Sequence, residues 1–166
     1  MSDGAALKDS QAHHLTCQFS GRQGLSIEAT HLLGAWRLAS WSLVYADGRP
    51  PEFPLGDDAC GIIMYTFDGH VSATLMRKAR SSLAPVSTGE AAAAYAESFA
   101  YAGRYTVRDG TAYHSIEIAT NPALIGITST RHIDLTGDAL TLSGPDFFAD
   151  SPRTQRIVWQ RAAPRA

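Results

Sequence analysis

Four side chains combine polarity, reach and apolar company in a way that can do chemistry: Tyr101, Tyr105, His114 and Arg131. A histidine titrates near neutrality and can give or take a proton. An arginine beside it can hold an anionic group or a developing oxyanion, and a tyrosine hydroxyl can donate a hydrogen bond to either. Phase is what groups them, because strand side chains alternate faces. His114 shares its phase with Ile116 and Ile118, against Ser115 and Glu117. Arg131 shares a face with Ile133 and Leu135, and Tyr101, Gly103, Tyr105 and Val107 form one set against Arg104 and Thr106. All four are therefore expected on an apolar interior, where a charge needs partners. A hollow lumen holding water or a polar ligand group meets that need more easily than a packed core does.

Two chemistries fit these residues. One is binding of an apolar small molecule whose polar or anionic group meets Arg131, with Tyr101, Tyr105 and His114 as further contacts. The other is a cofactor-independent isomerase, cyclase or lyase acting on a hydrophobic metabolite in the same pocket, with His114 as acid or base. Binding is favoured, since no activated nucleophile or paired carboxylate is visible. Each residue also has a plain structural reading. His114 fits as a satisfied core histidine, Arg131 as the closure of a barrel end, and the tyrosines as packing residues with a hydroxyl at the rim. Asp57, Asp58 and Asp146 fall in loops that can rim a mouth.

Other chemistry lacks support. No G-x-G-x-x-G, Walker-type loop or G-x-S-x-G elbow occurs, so no cofactor is expected. His114 and Glu117 are spaced H-x-x-E, but on a strand that offset puts them on opposite faces. His13-His14 has no further ligand nearby, and no metal site is expected. With 14 basic and 16 acidic residues the net charge of -2 leaves no basic footprint for nucleic acid. No apolar run reaches the roughly 18 residues of a membrane span, and no secretory signal opens the chain. Cys17 and Cys60 read as reduced thiols, so a cytoplasmic protein is expected. A homodimer and a monomer leave the same trace in this sequence.

The elements that must position these residues are mostly strands. Residues 1–29 are polar and aperiodic and read as a flexible arm; 30–163 read as one domain. Strands are expected at Ala35–Tyr45, Gly61–Thr66, His70–Met76, Gly103–Val107, Ala112–Ala119, Ile127–Leu135, Ala139–Ser143 and Gln155–Arg161, with turns at Asp47-Gly48, Asp68-Gly69, Asp109-Gly110 and Gly137-Asp138. Ser87 and Glu90 form a capping box for one helix, running to about Ala100 with Tyr95 and Phe99 on one face. About eight strands with one short helix predict an all-β antiparallel barrel.

Leu33-Gly34-Ala35-Trp36-Arg37-Leu38 resembles the opening of the bacterial lipocalin-like domain family, a group of calycin-type barrels. The resemblance continues through Pro54-Leu55-Gly56, Gly61 to Gly69, Tyr101-Ala102-Gly103-Arg104-Tyr105, His114, Asn121-Pro122 with Gly126, Arg131 and Val158-Trp159-Gln160-Arg161. It covers about residues 31–161 and departs in small ways, with Ala35 where threonine is frequent and Cys60 ahead of the second strand. It implies a lipocalin-like barrel closed at one end by Trp36 under Arg161, a cation–π pair worth about 0.5–2 kcal/mol, and a helix that plugs or covers the barrel. It fixes no reaction, since fold and function are separable.

Overall fold

The computed structural model describes residues 27–80, 87–146 and 152–163. The arm residues 1–26, with His13-His14 and Cys17, lie outside the described residues, as do 81–86, 147–151 and 164–166. A short helix α1 (Ala29–Leu32) leads into β1 (Gly34–Tyr45), β2 (Cys60–Tyr65) and β3 (His70–Met76). Helix α2 (Thr88–Ala96) precedes β4 (Ser98–Arg108) and β5 (Thr111–Ala119), and a 3-10 turn (Pro122–Leu124) leads to β6 (Thr128–Thr136), β7 (Ala139–Pro145) and β8 (Arg153–Arg161). Each strand pairs antiparallel with the next, and β8 pairs with β1, closing an eight-stranded up-and-down barrel. Closure leaves no free sheet edge.

The connections differ at the two ends. Tight hairpins after β2, β4 and β6 gather at one end, where α1 also lies. The long β1–β2, β3–β4 and β5–β6 connections gather at the other. The core fills the lumen, from Leu32, Trp36, Ile63, Tyr65 and Val71 to Ala112, Ile133, Leu140, Leu142 and Trp159.

Two register shifts set the phase of the inner face. In β1 the pairing with β8 slips between Leu38 and Ser40, so Trp36 and Leu38 face inward before the slip, and Trp41, Leu43 and Tyr45 after it. In the β4–β5 ladder Gly103 pairs with Ile116 while Ala102 pairs with Ile118, leaving Glu117 as the extra residue of a bulge. Past a bulge the alternation changes sign. Ile118, expected on the face of Ile116 and His114, is therefore turned out and is 69% exposed. Gly103 is required there: a Cβ would sit 2.0 Å from the Ser115 carbonyl oxygen.

The helix also corrects an expectation. Its capping box forms, with the Glu90 amide bonded to Ser87 Oγ at 3.2 Å and the Ser87 amide to Glu90 at 3.0 Å. It ends at Ala96 rather than near Ala100, and Phe99 belongs to β4. No residue of α2 is buried, so it does not plug the barrel. An alanine-rich helix offers too little apolar area to fill a lumen. It lies outside the wall, tied by Tyr95 Oη to the Thr120 carbonyl at 2.8 Å and by Arg80 to the Ala94 carbonyl at 2.9 Å.

Candidate functional site

The tight-hairpin end is shut. The Arg161 guanidinium lies 4.0 Å over the Trp36 ring and donates to the carbonyls of Leu33 and His31, each at 3.1 Å. Asp138 pairs with its Nε at 3.2 Å, and Trp36 Nε1 donates to the Leu32 carbonyl at 2.8 Å. The resemblance implied this pair, and every group in it is satisfied.

Among the described residues the opposite end is open. A cavity of about 220 Å³ enters the lumen between Trp41, Leu43, Pro54, Phe99, Ile116, Leu124 and Ile127, and carries Tyr101, Ser129, Arg131, Asp146, Arg153 and Gln155 on its wall. Beside the Arg131–Gln155 pair lies a further void of about 10 Å³ against Ile63, Ala73, Leu75, Leu142, Ile157 and Trp159. That void is at the lower limit for one water, whereas the larger cavity can take several or a small ligand.

Arg131 dominates the electrostatics. It is 8% exposed, and burial draws its pKa below the usual arginine value. An arginine nevertheless stays charged. Its Nη1 donates to the Thr130 carbonyl at 3.0 Å and its Nη2 to Gln155 Oε1 at 3.4 Å. Gln155 in turn donates to Asp146 Oδ1 at 3.2 Å. Among the described residues no carboxylate pairs directly with Arg131, while Asp146 pairs with Arg153 at 2.6 Å. Among the described residues that line the cavity there are two arginines and one aspartate, and Glu52 lies 4.0 Å from Arg153. Gly144 makes room for the guanidinium, since a Cβ there would stand 2.9 Å from Nη1 and 2.3 Å from the Thr130 carbonyl oxygen.

Two more polar atoms at this wall are buried and unpartnered among the described residues: Trp41 Nε1 and Ser129 Oγ. Buried polar groups are nearly always hydrogen-bonded, and indole is a donor with no acceptor capacity. Ser129 lies on the Arg131 face and Gln155 on the Trp159 face, so alternation alone would have found both. Trp41 was hidden by the bulge ahead of it and Phe99 by its assignment to the helix.

His114 is fully buried, with 0% exposure, behind this wall rather than on it. Its Nδ1 lies 2.8 Å from Tyr101 Oη and its Nε2 3.0 Å from Tyr65 Oη. Burial first, and then the Arg131 charge, push its pKa down to about 3, so the ring is neutral. Tyr101 reaches both the ring and the cavity, and burial raises its hydroxyl to about 12 against a smaller opposing effect of Arg131. Tyr65 was not singled out by sequence; burial raises its hydroxyl well above 10. Tyr105 lies deeper, with its Oη bonded to the Thr66 carbonyl at 3.2 Å and its ring edge-on to Tyr65 at 4.8 Å. It does not line the cavity. The six rings of Trp41, Phe99, Tyr101, His114, Tyr65 and Tyr105 form one column, with centroids 4.8–5.9 Å apart.

Of the loop carboxylates, Asp146 reaches the cavity, while Asp57 and Asp58 are exposed and do not. Glu117 is exposed on the outer face, opposite His114. Among the described residues no three metal-ligating side chains cluster, and no helix is long and apolar enough to cross a membrane.

A closed antiparallel barrel with one sealed end and a polar-lined mouth is a barrel of the lipocalin kind. The lipocalin-like domain family matches residues 33–162, and the chain belongs to it. No curated protein matches. Among solved structures the chain is similar to the lipoprotein YedD from Klebsiella pneumoniae subsp. pneumoniae MGH 78578, at 13% identity, over 84% of this chain and 83% of that one, with a TM-score of 0.36.

Proposed function

We propose that the protein binds a small, largely apolar molecule carrying a carboxylate or another acceptor-only group, seated in the mouth of the barrel with that group on Arg131. The observation that carries this reading is a buried arginine with no paired carboxylate among the described residues, on the wall of an apolar cavity. Trp41 and Ser129 line the same cavity, and each carries a buried donor, Nε1–H and Oγ, without a partner among the described residues, which a small side-chain rotation would turn to an acceptor-rich group. Mostly apolar walls with a few placed polar groups are the usual composition of a ligand site. At about 220 Å³ the cavity is below the 300–1,000 Å³ that takes drug-sized ligands, so the molecule would be about the size of one ring or a short chain.

Direct acid–base work by His114 has less behind it. Both ring nitrogens are engaged by tyrosines, its pKa lies far below neutrality, and Tyr101 stands between it and the cavity. In this reading Tyr101, Arg131 and Gln155 meet the ligand, while His114 and Tyr105 act behind them. Titration with benzoate and toluene, followed by calorimetry and by Trp41 fluorescence, tests the site. Benzoate should bind at least tenfold more tightly than toluene. Equal affinity for the two, or no binding of either, would remove Arg131 from any ligand role.

A further inference from the structure

We infer that Tyr65, His114 and Tyr101 form a one-way hydrogen-bond chain that fixes the Tyr101 hydroxyl as a donor toward the cavity, so that the site selects ligand groups that only accept. This rests on the proposed ligand site and specifies the chemistry it admits.

The direction follows from counting donors. A neutral imidazole has one N–H and one bare nitrogen, and a tyrosine hydroxyl has one proton to give. The Tyr65 hydroxyl is buried, does not line the cavity, and has His114 Nε2 as its hydrogen-bond partner among the described residues, at 3.0 Å. If Nε2 carried the ring proton, it would donate to Tyr65, and the Tyr65 proton would be buried without an acceptor. Leaving a buried donor unmade is the expensive arrangement. Tyr65 therefore donates to Nε2, and the ring proton sits on Nδ1. From there it donates to Tyr101 Oη at 2.8 Å. The Tyr101 oxygen is then an acceptor toward His114, and its own proton is free for the cavity that Tyr101 lines. Arg131 lines the same cavity, so its guanidinium and the Tyr101 hydroxyl are the donors this wall brings to a ligand. The Arg131 charge opposes a second proton on the ring, which would reverse the chain.

The ring nitrogens report this directly. In protein labelled with nitrogen-15 at histidine, long-range proton–nitrogen correlations at pH 7, assigned by loss of signal in His114→Gln, should show Nδ1 protonated and Nε2 bare. The opposite tautomer, or a doubly protonated ring, overturns the inference. Tyr65→Phe removes the donor that sets the direction without touching the cavity, so the Nδ1–H population should fall. Benzoate affinity should fall in proportion to the donor-competent fraction that remains, about threefold if a third is left, while toluene affinity stays unchanged. An unchanged tautomer in Tyr65→Phe also overturns it. The tautomer is read in the free wild-type protein, so it decides the chain even if Tyr65→Phe does not fold. Failure of the wild type to bind benzoate would instead strike the site reading alone.

Discussion

The two ends of the barrel each hold an arginine, and the contrast between them separates support from site. Arg161 at the sealed end has an aromatic face at 4.0 Å, two backbone carbonyls at 3.1 Å and Asp138 at 3.2 Å. Arg131 near the mouth is more deeply buried, yet has one carbonyl at 3.0 Å and a long bond of 3.4 Å to a neutral amide. A saturated guanidinium contributes to stability and has little left to offer a ligand. An undersaturated one inside an apolar wall gains partners only when something enters. Depth alone is therefore a poor guide to function; the balance of donors against acceptors around each charge is the better one.

The largest expected effect is on the sealed end. Arg161→Ala removes the cation–π contact and two charge-assisted bonds to carbonyls, which individually contribute about 0.5–2 and 1.5–3 kcal/mol and are not additive. A loss of about 3 kcal/mol is expected, lowering Tm by roughly 6–12 °C for a chain of this size. Benzoate affinity at temperatures where the variant is folded should be unchanged. Arg131→Met should do the reverse. It removes a buried charge that lacks a direct counter-ion, so the variant should be at least as stable as wild type by denaturant titration. Benzoate binding should weaken by about 30-fold, corresponding to about 2 kcal/mol. If the two variants exchange these phenotypes, the distinction between the two arginines is wrong.

Gly144→Ala sharpens the comparison without altering either charge. The new Cβ would meet the Thr130 carbonyl oxygen at 2.3 Å and Arg131 Nη1 at 2.9 Å, and backbone on one side cannot yield easily. A destabilisation of about 1–3 kcal/mol is expected from overpacking, with Arg131 displaced toward the cavity. Benzoate binding should fall with it, whereas the Trp36–Arg161 end, monitored by Trp36→Phe difference fluorescence, should be unaffected.

The sealed end was the more legible of the two in the sequence. Short Asp-Gly hairpins and the Trp36–Arg161 pair depend on local turn chemistry and on the family resemblance, and strand alternation placed His114, Arg131 and Tyr101 inside. The mouth was less legible because long connections and bulges build it. Strict alternation from Trp36 turns Trp41 outward, and only the slip after Leu38 brings it in. Ile118 fails in the opposite sense, since the bulge at Glu117 is dictated by the close approach of Gly103 to the Ser115 carbonyl rather than by any local signal. Tyr65 closes the second strand and shares its face with Ile63, so its inward direction was readable. Its pairing with His114 was not, because that contact spans 49 residues across the lumen.

Acid titration ties His114 to the mouth arginine. Its folded pKa of about 3 lies below the ordinary histidine value of 6.5, so the unfolded chain binds the extra proton first. The stability that comes from keeping this ring neutral is therefore complete above about pH 6.5 and is lost as the pH falls toward 3. The slope should be up to about 1.4 kcal/mol per pH unit from this residue. His114→Gln retains one donor and one acceptor for the two tyrosines, and should flatten that part of the stability profile. Arg131→Met removes a charge that opposes protonation of the ring, so the acid-sensitive range should end at a higher pH. Arg161→Ala should leave the range where it is, because Arg161 has no part in the shift at His114. A profile equally steep in His114→Gln and wild type would show that His114 is not the source of the acid sensitivity.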